Sequence, residues 1–167
     1  MTGNDGGKTA TASLNVSYVK NSGFETDTTG WNTSGSGANI TLARVAGGHS
    51  GSWSAKLTNT GTTTSTFATL QDSPNWVTAT TAGTYTASSW VRADTAGAIL
   101  KIKLQEYNGS TLVANASAQI TLSTAWQQVS VPYTIRSPGS TLDLQVYVAN
   151  PAPGTAFYAD DISVVVG

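Results

Sequence analysis

Residues 83–107 read GTYTASSWVRADTAGAILKIKLQEY, and the alternation within them decides the fold class. Successive side chains of a strand point to opposite faces, so residues two apart share one face. Tyr85, Ala87, Ser89 and Val91 make an apolar face in a first strand, and Leu100, Ile102 and Leu104 make one in a second. The other face takes Thr86, Ser88, Trp90 and Arg92, then Lys101, Lys103, Gln105 and Tyr107. The first face suits a hydrophobic core, whereas the second sets two aromatic rings among long hydrogen-bonding side chains. A Gly-containing turn at Asp94 to Gly97 joins the strands and predicts a hairpin whose polar face holds a polar partner.

Working outward, short alternating or apolar runs recur from Leu14 onward: LNVSYV, ANITLARV, WSAKLTN, TFATLQ, TLVANASAQITL, QQVSVPYTI, TLDLQVYV and FYADDISVVV. Turn signals such as Asn108-Gly109-Ser110 and Ser137-Pro138-Gly139 lie between them. No amphipathic helical period survives beyond a few residues. The pattern predicts an all-β chain, a sandwich of two antiparallel sheets with about ten strands, and one domain over 14–167. The polar, Gly-rich residues 1–13 read as a flexible linker or tail.

The strand Thr141 to Ala149 repeats the two-faced pattern. Leu142, Leu144, Val146 and Val148 form its apolar side, and Asp143, Gln145, Tyr147 and Ala149 form its polar side. In Gln127 to Ile135 the apolar set is Val129, Val131, Tyr133 and Ile135, and Pro132, which has no N–H to give a central ladder, predicts an edge position.

Composition narrows the partners. Of 167 residues only 10% are charged, against about 25% for an average soluble protein, and the net charge is -1. With no basic field to collect phosphates or anionic lipid, nucleic acid and membrane surfaces are not expected partners. No apolar run approaches the roughly 18 residues of a membrane span, and no basic-then-apolar leader opens the chain. There are no cysteines. The one histidine, His49, sits in a GGHSG turn without an acidic partner nearby in sequence, which argues against a histidine-based triad or metal site. Glu106 and Asp143 are the only carboxylates placed for glycosidase chemistry, a minor reading beside a binding role.

The chain also resembles a known family through Val19-Lys20-Asn21-Ser22-Gly23-Phe24-Glu25 followed by Gly30-Trp31, through His49-Ser50-Gly51-Ser52-Trp53-Ser54, through Gly83 to Val91, through Thr124 to Val129, and through Phe157-Tyr158-Ala159-Asp160-Asp161-Ile162. In this order the segments resemble the CBM4/9/22-type carbohydrate-binding modules. The resemblance implies a jelly-roll sandwich without catalytic activity, secreted, monomeric and attached to a catalytic domain that acts on polysaccharide. It further implies a sugar groove across one sheet, for a β-glucan, xylan or similar polymer, and a structural calcium ion where the first and last strands meet. Glu25 and Asp160 are the side-chain ligands at the matching motifs, with the Gly23 carbonyl, the Ser50 region and the Lys56 carbonyl as further oxygens. The competing reading has Glu25 capping a turn and Asp160 pairing with a Lys or Arg.

A polysaccharide presents C–H faces and hydroxyls, which call for flat rings and planar hydrogen-bonding groups. Trp90, Tyr107 and Tyr147 are the expected platforms. Arg92, Gln105 and Gln145 are the expected hydrogen-bond partners, with Lys103 beside them, and Trp76, after the Ser73-Pro74-Asn75 turn, is expected to project over one end. Trp31, Trp53 and Trp126 read as packing residues. Trp90 is the open point, because a one-residue slip of register would turn it into the core. The alternative to a sugar module is a structural or adhesive β-sandwich of a surface or phage protein.

Overall fold

The computed structural model describes residues 16–167, so the linker expected over 1–13 lies outside the described residues. Ten strands follow in order: β1 Trp31–Asn32, β2 Ile40–Ala46, β3 Trp53–Asn59, β4 Phe67–Asp72, β5 Thr84–Ala93, β6 Ile99–Asn108, β7 Thr111–Thr121, β8 Gln127–Thr134, β9 Thr141–Ala149 and β10 Ala156–Val166. They form two five-stranded sheets, one ordered β1-β4-β9-β6-β7 and the other β2-β3-β10-β5-β8. Every pairing is antiparallel. This is the two-sheet sandwich that the alternation predicted, and the jelly roll that the resemblance implied.

The alternation also holds in register. Tyr85, Ala87, Ser89 and Val91 are fully buried, as are Leu100, Ile102 and Leu104, and they meet Leu57, Leu70, Leu144, Val146, Phe157 and Ile162 in one core. Burying each such aliphatic or aromatic side chain contributes about 1.5–3 kcal/mol. Strand β8, which carries Pro132, is the outermost strand of its sheet.

The hairpin expected over 83–107 does not form. Strand β5 belongs to one sheet and β6 to the other, so the turn after Asp94 carries the chain across the sandwich. The apolar faces of β5 and β6 look at each other across the core, and their polar faces point to opposite sides of the molecule. The true hairpin lies one step later, between β6 and β7, where Asn108 pairs with Thr111 around Gly109 at φ 60. Glycine at that first central position gives a two-residue turn whose twist matches the strands.

Two polar groups shape the interior. Glu106 points inward from β6, is fully buried, and accepts hydrogen bonds from Tyr133 Oη (2.5 Å), Arg136 N (3.0 Å), Ser137 N (2.7 Å) and Ser140 Oγ (2.8 Å). Burial works to raise its pKa, but these four donors together hold it below the ordinary glutamate value. Asp72, at the end of β4, takes Leu144 N (2.9 Å) and Trp76 N (3.0 Å) on its two oxygens. Its burial, with Asp143 beside it, pushes its pKa up to about 7.

Candidate carbohydrate-binding groove

The outer face of the β1-β4-β9-β6-β7 sheet is built by register. Gln71 on β4, Gln145 on β9, Lys103 on β6 and Ser117 on β7 stand in one row across the strands. Thr69, Tyr147, Lys101 and Gln119 form the next row, and Asp143, Gln105 and Asn115 flank the first on its other side. Opposed residues of neighbouring strands lie close enough for their side chains to touch. The rows therefore make a continuous floor.

Hydrogen bonds tie this floor together. Asp143 Oδ1 accepts from Gln71 Nε2 at 2.9 Å, and its Oδ2 accepts from Gln145 Nε2 at 3.1 Å. Gln105 Nε2 donates to the Tyr107 hydroxyl at 2.8 Å. Asp143 is only 5% exposed, and that burial raises its pKa even though Gln71 and the Lys103 charge pull the other way. Burial likewise lowers the pKa of Lys103, whose ammonium lies 5.6 Å from the Tyr147 ring centroid. Tyr147 is buttressed by the edge of Phe67, with 5.7 Å between centroids and 82° between planes. The arrangement offers one propped aromatic ring beside a band of amides, a carboxylate and an amine, which are the groups that hold sugar faces and hydroxyls.

Of the expected ligand-binding residues, the structure brings Lys103, Gln105, Tyr107, Gln145 and Tyr147 onto this one face. Trp90 and Arg92 are not there. They point outward, as the alternation required, but from β5 in the opposite sheet, because the chain crosses over after Asp94. The Trp90 ring is also covered: His49 stacks on it with 3.7 Å between centroids and 10° between planes. The Arg92 guanidinium is taken up by Tyr158 at 3.8 Å and Trp126 at 5.3 Å. Trp76 does not project over the groove. It packs beside the core with its edge toward Trp31 (6.2 Å) and against Gly30, where any Cβ would stand 2.3 Å from the indole. Trp31 is buried in the core as expected, whereas Trp53 lies under the Arg44 guanidinium and Trp126 is half-buried beside His49.

Sequence reading missed two groove residues, and it placed Asp143 on the polar side of its strand without giving it a binding role. Phe67 was passed over because a single exposed aromatic at a strand end carries no motif. Gln71 joins the site only through pairing between β4 and β9, which are far apart in sequence.

The expected metal corner is assembled in part. Asp160 Oδ2 accepts from His49 N (2.6 Å) and Ser50 N (3.3 Å), and its Oδ1 accepts from Asp161 N (2.8 Å). Glu25 Oε1 accepts from Ser52 N and Trp53 N, each at 3.0 Å. Asp161 reaches Ser50 Oγ at 2.6 Å and His49 Nδ1 at 2.7 Å, an acidic partner for His49 that sequence proximity had hidden. Gly23 faces these carboxylates: a Cβ there would lie 3.6 Å from Asp160 Oδ1 and 3.8 Å from Asp161 Oδ1. Gly23, Glu25, Ser50 and Asp161 line a cavity of about 340 Å³.

Two expectations about this corner are corrected. The Lys56 carbonyl is not set toward the corner, since Lys56 sits mid-strand in β3 and is paired on both sides, with Ala43 and Tyr158. Asp160, which strict alternation would set with Ile162 and Val164 on the apolar side, does not share their face. A bulge between Asp160 and Ser163, with Asp161 at φ 45, shifts the alternation and sets Asp160 in register with Trp90. Asp160 is buried all the same, under the His49-Ser50 turn, and this burial pushes its pKa up to about 6, with the nearby Asp161 charge adding to the rise. Among the described residues no three acidic or histidine side chains are gathered into a ready metal cage. The oxygens that face Gly23 are nevertheless of the hard, anionic type that suits calcium, an ion which also takes backbone carbonyls and water.

Comparison with known proteins identifies the family. The sequence profile of the carbohydrate binding domain family CBM_4_9 matches residues 16–154, and the chain belongs to this family, which is a class of non-catalytic carbohydrate-binding modules. A search of the curated proteins finds no match. Among solved structures, the chain is similar to TmCBM61 in complex with β-1,4-galactotriose, at 18% identity and a TM-score of 0.65, covering 91% of this chain and 99% of that one. It is similar to the CBM22-1 xylan-binding domain of Paenibacillus barcinonensis Xyn10C, at 17% identity and a TM-score of 0.65, covering 91% and 95%. It is also similar to the enzymatically active domain of bacteriophage CBA120 tailspike protein 4, at 11% identity and a TM-score of 0.70, covering 90% of this chain but 21% of that one. At these identities the likeness is one of fold.

Proposed function

We propose that this chain binds a β-glucan, a xylan or a similar polysaccharide along the outer face of the β1-β4-β9-β6-β7 sheet and holds an attached secreted enzyme against it. The observation that carries the reading is Tyr147, propped by Phe67 and followed along the face by the row of Gln71, Gln145 and Lys103 and then by Asp143. A sugar ring laid on Tyr147 would find Thr69 and Lys101 beside it in the same row and Gln71, Gln145 and Lys103 in the next. The opposite sheet offers no such platform, since its Trp90 ring is capped by His49. A structural or adhesive sandwich would have no need of a hydrogen-bonded polar floor around a propped ring.

Affinity electrophoresis against xylan, mixed-linkage glucan, laminarin, galactan and pectin tests the reading. Retardation by at least one polymer, lost in Tyr147→Ala while the melting transition is kept, is the expected result. Free migration of the native protein through every gel would overturn it.

A structural calcium ion at the Gly23 corner belongs to the same proposal. Glu25 and Asp160 would hold it through carboxylate oxygens, with the Gly23 carbonyl, Ser50 and the newly found Asp161 beside them. The ion would offset the charge of a buried carboxylate and tie the segment before β1 to β10.

A further inference from the structure

The polar floor ends abruptly at Tyr147. The next row along the strands is Phe67, Ala149, Ile99 and Thr121, and both Phe67 and Ile99 leave more than two fifths of their surface exposed. Large apolar side chains exposed in one row at the end of a polar face mark a contact. Beyond this row the rim of the sandwich opens between residues 94–98 and 150–155 into a cavity of about 790 Å³. Tyr147, Lys101 and Gln119 belong both to the groove floor and to the cavity wall. Its depth is apolar, formed by Leu57, Ala93, Leu122, Val148 and Phe157. Its volume falls in the range of about 300–1,000 Å³ found for small-molecule sites.

A bare sugar chain has nothing to place in such a cavity, because every ring carries hydroxyls whose burial without partners is costly. An acetyl group would leave most of it open. The chemistry that fits is a flat aromatic acid, joined through an ester to a sugar lying on Tyr147. The ring would enter the apolar depth, and Lys101 and Gln119 at the mouth would stand beside the ester carbonyl. Resting on the groove reading above, we propose that the cavity is a second subsite that takes an aryl-acyl ester substituent of the bound polysaccharide. The protein would then prefer aryl-acylated polymer to the same polymer stripped of its esters.

Two measurements test this and keep it separate from the groove. Methyl ferulate is added to the native protein and followed through the NMR signals of Ala98 and Ile99. Feruloylated arabinoxylan is compared by affinity electrophoresis with the same polymer after alkaline de-esterification. Saturable shifts at Ala98 and Ile99, together with at least about fivefold tighter binding of the esterified polymer, are the expected results. In Ala98→Phe, which puts a ring into the cavity from an exposed position, both should vanish while binding of the de-esterified polymer persists. Equal retardation by the two polymers with no shifts from methyl ferulate would overturn the subsite and leave the groove standing. Shifts without retardation by any polymer would keep the cavity as a site for aromatic acids and remove the groove. Absence of both would remove both.

Discussion

The imidazole of His49 lies flat on the indole of Trp90, 3.7 Å between centroids, while its Nδ1 sits 2.7 Å from Asp161 Oδ2. The pair fastens the turn after β2 to the middle of β5. Trp90 is thus a structural contact, and Trp90→Ala should lower stability by about 1–3 kcal/mol while leaving polysaccharide retardation unchanged. Tyr147→Ala should do the reverse, weakening binding by at least about tenfold, the loss expected of an aromatic anchor, with little effect on melting. Loss of binding in Trp90→Ala at an unchanged melting temperature would contradict this assignment.

Glu106 is an acceptor for two hydroxyls and two backbone N–H groups from the segment that joins β8 to β9 and its flanks. Removing it strands four donors, those of Tyr133 and Ser140 buried and those of Arg136 and Ser137 part-buried, so Glu106→Ala should cost at least about 3 kcal/mol, read by denaturant unfolding. A loss below about 1 kcal/mol would show that water replaces the carboxylate at little cost. Since its folded pKa lies below the unfolded value, its stabilisation is present above about pH 4.5 and is lost as the pH falls through the folded value.

Asp72 runs the opposite way. Its pKa of about 7 in the folded protein stands well above the ordinary value of 3.8, so between the two the native state binds more protons than the unfolded chain. Stability from this group therefore falls as the pH rises toward and through 7. Asp143 and Asp160 are shifted in the same direction. The melting temperature should be higher at pH 6 than at pH 8, and Asp72→Asn should remove most of that slope. A native melting temperature that rises from pH 6 to pH 8, or an unchanged slope in the variant, would refute the assignment.

For the Gly23 corner, chelator should lower the melting temperature and added calcium should restore it, because an ion held only by the native state stabilises it by mass action. Asp160→Asn should abolish the response to calcium. A melting curve indifferent to chelator would count against a tightly held ion.

Much of the fold was legible because alternation is a local property. The inward sets of β5, β6, β8 and β9 are those that the sequence spells out, and even the edge position of β8 follows from Pro132. What alternation does not encode is which sheet a strand joins. A five-residue link after Ala93 serves equally for a hairpin within one sheet or an arch between two, and in both cases the apolar residues end up inside. That single ambiguity divided the expected site, leaving Gln105, Gln145 and Tyr147 together and sending Trp90 and Arg92 to the far side. The bulge at Asp161 is the same kind of event on a smaller scale: one left-handed residue reverses the parity of everything before it. The Glu106 network was invisible because its partners lie 27 to 34 residues away.

The bonds from Gln71 and Gln145 to Asp143, and from Gln105 to Tyr107, mean that the groove side chains already answer one another. A ligand arriving there meets groups whose rotamers are largely fixed, so little ordering remains to be done on binding. A sugar hydroxyl bound there would instead displace a bond that already exists, and the net gain would be the difference between two similar contacts. Such a surface would discriminate between hydroxyl arrangements while holding any one of them only modestly.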